Sequence, residues 1–414
     1  MRKLWFIALC CLIVPFMLYG GEKTSEIENI IILKSPGDDT AVNMAIDRFT
    51  DEFGVDVEVI DADISTGSTI TIDTMIAAGE APDIYMDYLA RTGKFIDPAY
   101  AIPLDDYVDM SAFNESMMGQ FKRGGKYYAI MRPTGAMGMF VNLDVLEEAG
   151  IAESDIPDNW TTDDFVAMAE KVKAVGKYAT VLFAANQSGD YFYMNYFASF
   201  GADLYNEDYS ESTADSPEGL AALQFLNMLV EKGYAPRESA VYTDDDYLAE
   251  LGMGSCAVGG LFIGHLGILS SMVEQGAIDA MPRYKFVSFP NNAAACSMPH
   301  AVVGYNSGDE YRNELVATLM TYIESKEAQT DHLIANGTYS TRNDVTAEQD
   351  SDDWRAIKAI VEANGLYDLG LAHPAYGEIR KQMFPLLQEM YAGKLSPEDA
   401  IKMYDEAVTA ILQE

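Results

Sequence analysis

At 414 residues the chain exceeds what one hydrophobic core supports, since cores stop growing near roughly 250–300 residues, so two units are expected. Its composition, 49% hydrophobic and 22% charged, is that of a globular protein, and a formal net charge of −38 excludes nucleic acid as a partner, because phosphate binding needs a basic stripe that the sequence lacks. The same acidity argues against anionic ligands and membrane surfaces and reads as solubility by self-repulsion outside the cytoplasm.

The N-terminus carries Arg2 and Lys3, an apolar run from Leu4 to Tyr19, and then Gly20-Gly21 before a polar segment. A basic flank, a short apolar run and small residues are the parts of a secretory signal, and the run is shorter than the roughly 20 residues that span a bilayer. Residues 1–21 are therefore read as a signal peptide or N-terminal anchor. From there the chain reads strand (Ile30–Leu33), a Ser35-Pro36-Gly37-Asp38-Asp39 loop, an amphipathic helix (Thr40–Phe53) closed by Gly54, and strand (Val55–Ile60). This βαβ opening predicts a parallel sheet with its ligand crevice at the carboxyl ends of the strands, which puts Ser35 and Gly37 at the crevice.

A second helix is expected over Thr69–Gly79, then a strand at Asp83–Tyr85 that delivers Met86–Arg91 to the same edge. Further on, two β-forming runs, Tyr127–Met131 and Met137–Val141, flank Pro133-Thr134-Gly135, and helix-cap signals follow at Asn142-Leu143-Asp144 and Thr161–Asp164. Ser216-Pro217-Glu218 opens a helix stopped by Gly233, and Cys256–Phe262 leads to a helix through Leu266–Val273. Tyr284–Pro290 and His300–Tyr305 read as strands, Glu310–Glu324 as a helix, and Ser396-Pro397-Glu398-Asp399 opens the last helix. Outside the leader only Cys256 and Cys296 remain; two buried thiols are the preferred reading and a disulfide the alternative. Without Cys-x-x-Cys or His-x-x-x-His there is no ligand set for a metal.

The order strand, crossover, strand, helix, loop, helix over Gly124–Phe165 resembles the hinge region of extracellular solute-binding proteins, family 1, the maltose-binding-protein-like components that feed sugars to ABC transporters. Val141-Asn142 stands where that family has an aromatic and Asn, and Pro157-Asp158-Asn159-Trp160 stands for its Pro-x-Thr-Trp. Pro82-Asp83-Ile84, Ile102–Tyr107 and Gly393-Lys394-Leu395-Ser396-Pro397-Glu398 continue the likeness, which runs from about residue 28 to the end. The resemblance implies an α/β, two-lobed periplasmic-binding-protein-like fold of type II with three interlobe crossings. The first lobe would comprise 28–134 plus 289–324 and the second 135–288 plus 325–414, with the helix over Glu310–Glu324 containing or abutting the third crossing. Thr134, Gly135, Ser288 and Phe289 would be the hinge. It also implies an extracytoplasmic protein, secreted or tethered to the outer face of the membrane; Gly21 stands where a lipid-bearing cysteine is expected.

Sugar clefts combine aromatic faces, which stack on pyranose rings, with acids and amides that bond hydroxyl groups. The segment from Asn186 to Phe197 is dense in both; Tyr196, Phe197 and Phe200 fall at helical spacing and are assigned to the core, Asp190, Tyr191 and Asn195 to the cleft. Asp87, Tyr88 and Arg91 match a stretch that supplies an acid, an aromatic and an arginine in sugar-binding members, although a surface ion pair would also explain Arg91. By the same resemblance Phe262 takes the place of a tryptophan, His300 sits at a cleft turn, Arg342 belongs to a ligand-side segment and Tyr376 is a late contact. An acidic cleft would suit a cation as well as a sugar. Paired acids such as Asp105-Asp106 and Asp244-Asp245-Asp246 fall where helix caps are expected, so no catalytic step is assigned.

The expected function is capture of a mono- or oligosaccharide by an importer's binding component, acting as a monomer without a cofactor and docking on permease subunits. The alternatives are a polyamine or other cation as ligand, a sensor subunit for a signalling receptor, and a secreted carbohydrate-active enzyme.

Overall fold

A computed structural model describes residues 27, 29–35, 39–62, 68–157, 159–185, 189–206, 209–371 and 373–413. The leader reading and Gly37 lie outside the described residues.

Two sheets organise the chain. The first has the order β2-β1-β3-β11-β6, with β1 at Asn29–Lys34, β2 at Asp56–Asp61, β3 at Ile84–Tyr88, β6 at Ile130–Met131 and β11 at His300–Gly304. Strands β1, β2 and β3 are parallel, in register Leu33 with Ile60 and Leu33 with Tyr85. Such pairing needs crossovers, and the helices Thr40–Phe53 and Ser68–Ala78 supply them. The return strand β11 runs antiparallel to β3, His300 opposite Tyr88, and β6 is antiparallel to β11. Between them a small hairpin joins β4 (Lys122–Arg123) to β5 (Lys126–Tyr127), turning through Gly124 and Gly125 at positive φ.

The second sheet has the order β10-β7-β9-β8, from β7 (Gly138–Asn142), β8 (Tyr178–Thr180), β9 (Cys256–Leu261) and β10 (Tyr284–Val287). Strands β7 and β9 are buried throughout, as befits strands covered by helices on both faces. Cys256 in β9 and Cys296 are both buried free thiols. The Tyr127–Met131 run is split: Tyr127 pairs in the hairpin while Ile130 and Met131 join the first sheet.

The chain passes from the first sheet to the second between Met131 and Gly138, and back between Val287 and His300. The expected third passage at 324 is corrected. The helix Glu310–Ile323 packs on Thr40–Phe53, and so does the next helix, Lys326–Asn336; only Asp352–Asn364 packs on β10 of the second sheet. Asn343 still hydrogen-bonds the carbonyl of Ala112, so the passage falls between Asn343 and Asp352. Thr40–Phe53 offers Phe49, Val42 and Ala45 as a continuous apolar face, which two helices rather than one cover.

Candidate interlobe binding site

The first two passages lie side by side at the junction of the two sheets, and the segment ahead of the third pairs with the first. Thr134 and Tyr339 exchange backbone hydrogen bonds of 3.1 and 2.7 Å, and the amide of Met137 donates to the carbonyl of Cys296 at 2.9 Å. Ser288, also buried, accepts from the Trp160 indole at 2.8 Å, and Phe289 packs edge-on against Tyr196.

Above this mat is a cavity of about 280 Å³, walled from both halves: Lys34, Ser35, Asp39 and Met86 on one side, Phe262, Ile263 and Gly264 on the other. Arg132, Pro133 and Gly135 of the first passage line it, as do Met298 and His300 and the segment from His332 to Thr338. The carboxyl ends of β1 and β3 bring in Lys34, Ser35 and Met86, as expected of a crevice in a parallel sheet.

Its electrostatics centre on Arg132, which bonds Asp39 at 2.8 Å and Glu324 at 3.0 Å. Burial alone would raise the Asp39 carboxyl, but the Arg132 guanidinium outweighs it and holds the group below the ordinary carboxylate range. Asp39 also caps the helix Thr40–Phe53 through the amide of Val42 at 3.1 Å. Glu324, wholly buried, is the second carboxylate on one cation; desolvation wins over Arg132 and pushes it up to about 7. Burial likewise lowers His300 and His332 to about 4, so both imidazoles are neutral at physiological pH and can each donate and accept. Lys34 pairs with Asp61 at 3.1 Å.

Of the expected contacts, Ser35, Phe262 and His300 line the cavity, and so does Gly135 from the hinge set. The other expected contacts among the described residues face elsewhere, which corrects the expected set. Asp87 is buried and spent on structure: it takes Arg91 in a two-pronged pair at 2.7 and 2.8 Å, the hydroxyl of Ser35 and that of Tyr85 at 3.1 Å. Asp190 is wholly buried, bonded to Tyr376 and paired with Arg380 at 3.4 Å, with the hydroxyl of Tyr88 also at 3.4 Å. Tyr191 stands edge-on to Tyr88 and to Phe262, behind the wall rather than in it. Asn195 holds the second passage in place, accepting from the amide of Cys296 at 3.1 Å. Arg342 pairs with Asp344 and covers the ring of Phe113, away from the cavity. The acidic cleft is corrected too: among the described lining residues one carboxylate, Asp39, faces two cations, Lys34 and Arg132.

Lys34, Asp39, Arg132, Met298 and His332 escaped the reading of the sequence. Asp39 read only as the end of the loop before Thr40–Phe53, whose cap it is; Arg132 adjoins the recognised Pro133-Thr134-Gly135 crossover and was the one legible hint.

The sequence matches the bacterial extracellular solute-binding proteins over residues 34–330. The chain belongs to that family. An arabinooligosaccharide-binding protein of Halalkalibacterium halodurans is 30% identical over 155 residues, 36% of this chain and 33% of that protein. A lactose-binding protein of Rhizobium radiobacter is 27% identical over 222 residues, 51% of each. The chain thus spans about half or less of the length of the curated relatives it matches. Among solved structures, an ABC transporter solute-binding protein from Thermotoga lettingae bound with α-D-tagatose superposes with a TM-score of 0.76 at 22% identity, over 93% of this chain and 100% of that one. Maltose-bound MalE3 of T. maritima gives 0.73 at 22% identity, over 92% and 98%. The fold is the type II periplasmic-binding-protein fold. No helix among the described residues is long and apolar enough to cross a membrane.

Proposed function

We propose that this solute-binding protein captures a carbohydrate in the cavity between its halves and delivers it, unaltered, to the permease of an ABC importer. The observation that carries the reading is the cavity itself, walled by both halves and floored by the passages between them. Phe262 offers a ring to an apolar sugar face, while Ser35, Asp39, Lys34 and two neutral imidazoles supply donors and acceptors for hydroxyl groups. Lys34 and Arg132 in the lining disfavour a polyamine. The relatives named for arabinooligosaccharides and lactose support a sugar. Thr134, Gly135, Ser288 and Phe289 act as the hinge, where closure is a shift of an existing equilibrium by the ligand's preference for the closed form.

A thermal-shift panel of sugars and polyamines tests this. A sugar at about 100 times its Kd should add about 2.7 kcal/mol of stability, seen as a rise of several degrees, and chromatography should return it intact. A shift with polyamines alone, or consumption of the sugar, refutes the reading.

A further inference from the structure

Among the described residues the cavity is lined by Arg132, Pro133 and Gly135 of the first passage, with Phe262 and His300 in its walls. Immediately behind two of its wall residues stands an aromatic pair that spans the halves: Tyr88 from the end of β3, its ring 6.2 Å from that of His300, and Tyr191, 5.2 Å from Phe262, the two tyrosines meeting edge-on at 5.9 Å. Tyr88 is only 2% exposed. Beyond the pair the gap is filled. The Arg380 guanidinium lies 5.7 Å over the Tyr88 ring, Asp190 takes Tyr88, Arg380 and Tyr376, and none of these side chains lines the cavity. Backbone then meets backbone: a Cβ on Gly377 would sit 3.1 Å from the carbonyl of Ala90 across the boundary, and one on Gly93 would sit 3.4 Å from that of Leu371.

We propose that Tyr88 and Tyr191, backed by Asp190, Arg380 and Tyr376, end the cleft and make the protein selective for a solute of one or two sugar rings. The inference rests on the carbohydrate reading above. At about 280 Å³ the cavity lies at the lower edge of the ~300–1,000 Å³ range for drug-sized ligands, and a hexose has roughly half the heavy atoms of such a ligand. A third ring would have to displace the buried Asp190–Arg380 pair and three packed tyrosines, which is discrimination by exclusion rather than by added contact.

The test is calorimetry of the whole protein against length series: glucose, maltose and maltotriose; arabinose, arabinobiose and arabinotriose; galactose and lactose; N-acetylglucosamine and its dimer and trimer; tagatose. In the series that binds, the trimer should bind at least about tenfold more weakly than the shorter sugar. The substitutions Tyr88→Ala and Tyr191→Ala, each checked for folding by circular dichroism, should shrink that ratio several-fold. A trimer bound as tightly as the dimer overturns the inference and leaves the carbohydrate reading standing. A ratio unchanged in a folded variant overturns the role of the tyrosines. No binding by any sugar overturns both; should neither variant fold, the wild-type series decides.

Discussion

Glu324 is the residue whose chemistry is most out of place, an acid with no exposed surface sharing Arg132 with Asp39. Its pKa is raised to about 7 by burial, so the folded state holds a proton that the unfolded chain, near the ordinary glutamate value of 4.5, has released. Its contribution to stability is therefore fully present below about pH 4.5 and is lost as pH rises through about 7. Glu324→Gln mimics the protonated acid and should remove that slope. At pH 4 or below the two proteins should melt together; at pH 8 the variant should be more stable, by on the order of 3 kcal/mol. Melting curves across this range check it, and a variant less stable at pH 8 would mean that the charged Arg132–Glu324 pair holds the junction together. This network was invisible in the sequence because Arg132, Glu324 and Asp39 lie in three separate segments, and nothing in their local patterns shows that they meet. The same holds for Asp87 and Arg91, which read as ligand contacts by the resemblance to sugar-binding members but satisfy each other.

At the scale of elements, local chemistry was far more legible. Asn142 accepts from the amides of Asp144 and Val145, Thr161 and Asp164 form a reciprocal capping box, and Ser396 caps a helix with Pro397 in its first turn, all as their residue types dictate. The failures came where packing overrode pattern, as with Lys326–Asn336, whose mixed composition gave no sign that it belongs to the first half. That helix ends at Gly337 with φ +63°, a conformation glycine adopts without cost, and a Cβ there would lie 2.7 Å from the side chain of Ile263 in the cavity wall. Gly337→Ala should thus cost about 1–2 kcal/mol of stability from backbone strain. It should also weaken sugar binding, because relieving the contact pushes Ile263 toward the ligand space. Denaturant unfolding and calorimetry separate the two; a loss of stability with unchanged affinity would show that Ile263 yields away from the cavity.

For the whole molecule, the type II fold was readable from the βαβ opening and the hinge block, whereas the size of the cavity was not, since it depends on how closely the two halves approach. Gly377 provides a handle on that approach. Its φ is not in the positive range, so a side chain there carries no backbone strain, and the obstacle to one is the carbonyl of Ala90 on the opposite half. Gly377→Val therefore acts as a wedge, disfavouring the closed arrangement while leaving each half intact. If binding requires closure, the apparent Kd rises by the inverse of the fraction still able to close, and a penalty of about 1.4 kcal/mol is a tenfold loss. The expected outcome is a sugar affinity at least about tenfold weaker, an unfolding midpoint without sugar close to wild type, and a loss of the ligand-induced fall in radius of gyration by X-ray scattering. Wild-type affinity in this variant would show that the Ala90–Gly377 contact is not part of the binding-competent form, and the wall drawn from that contact would fall with it.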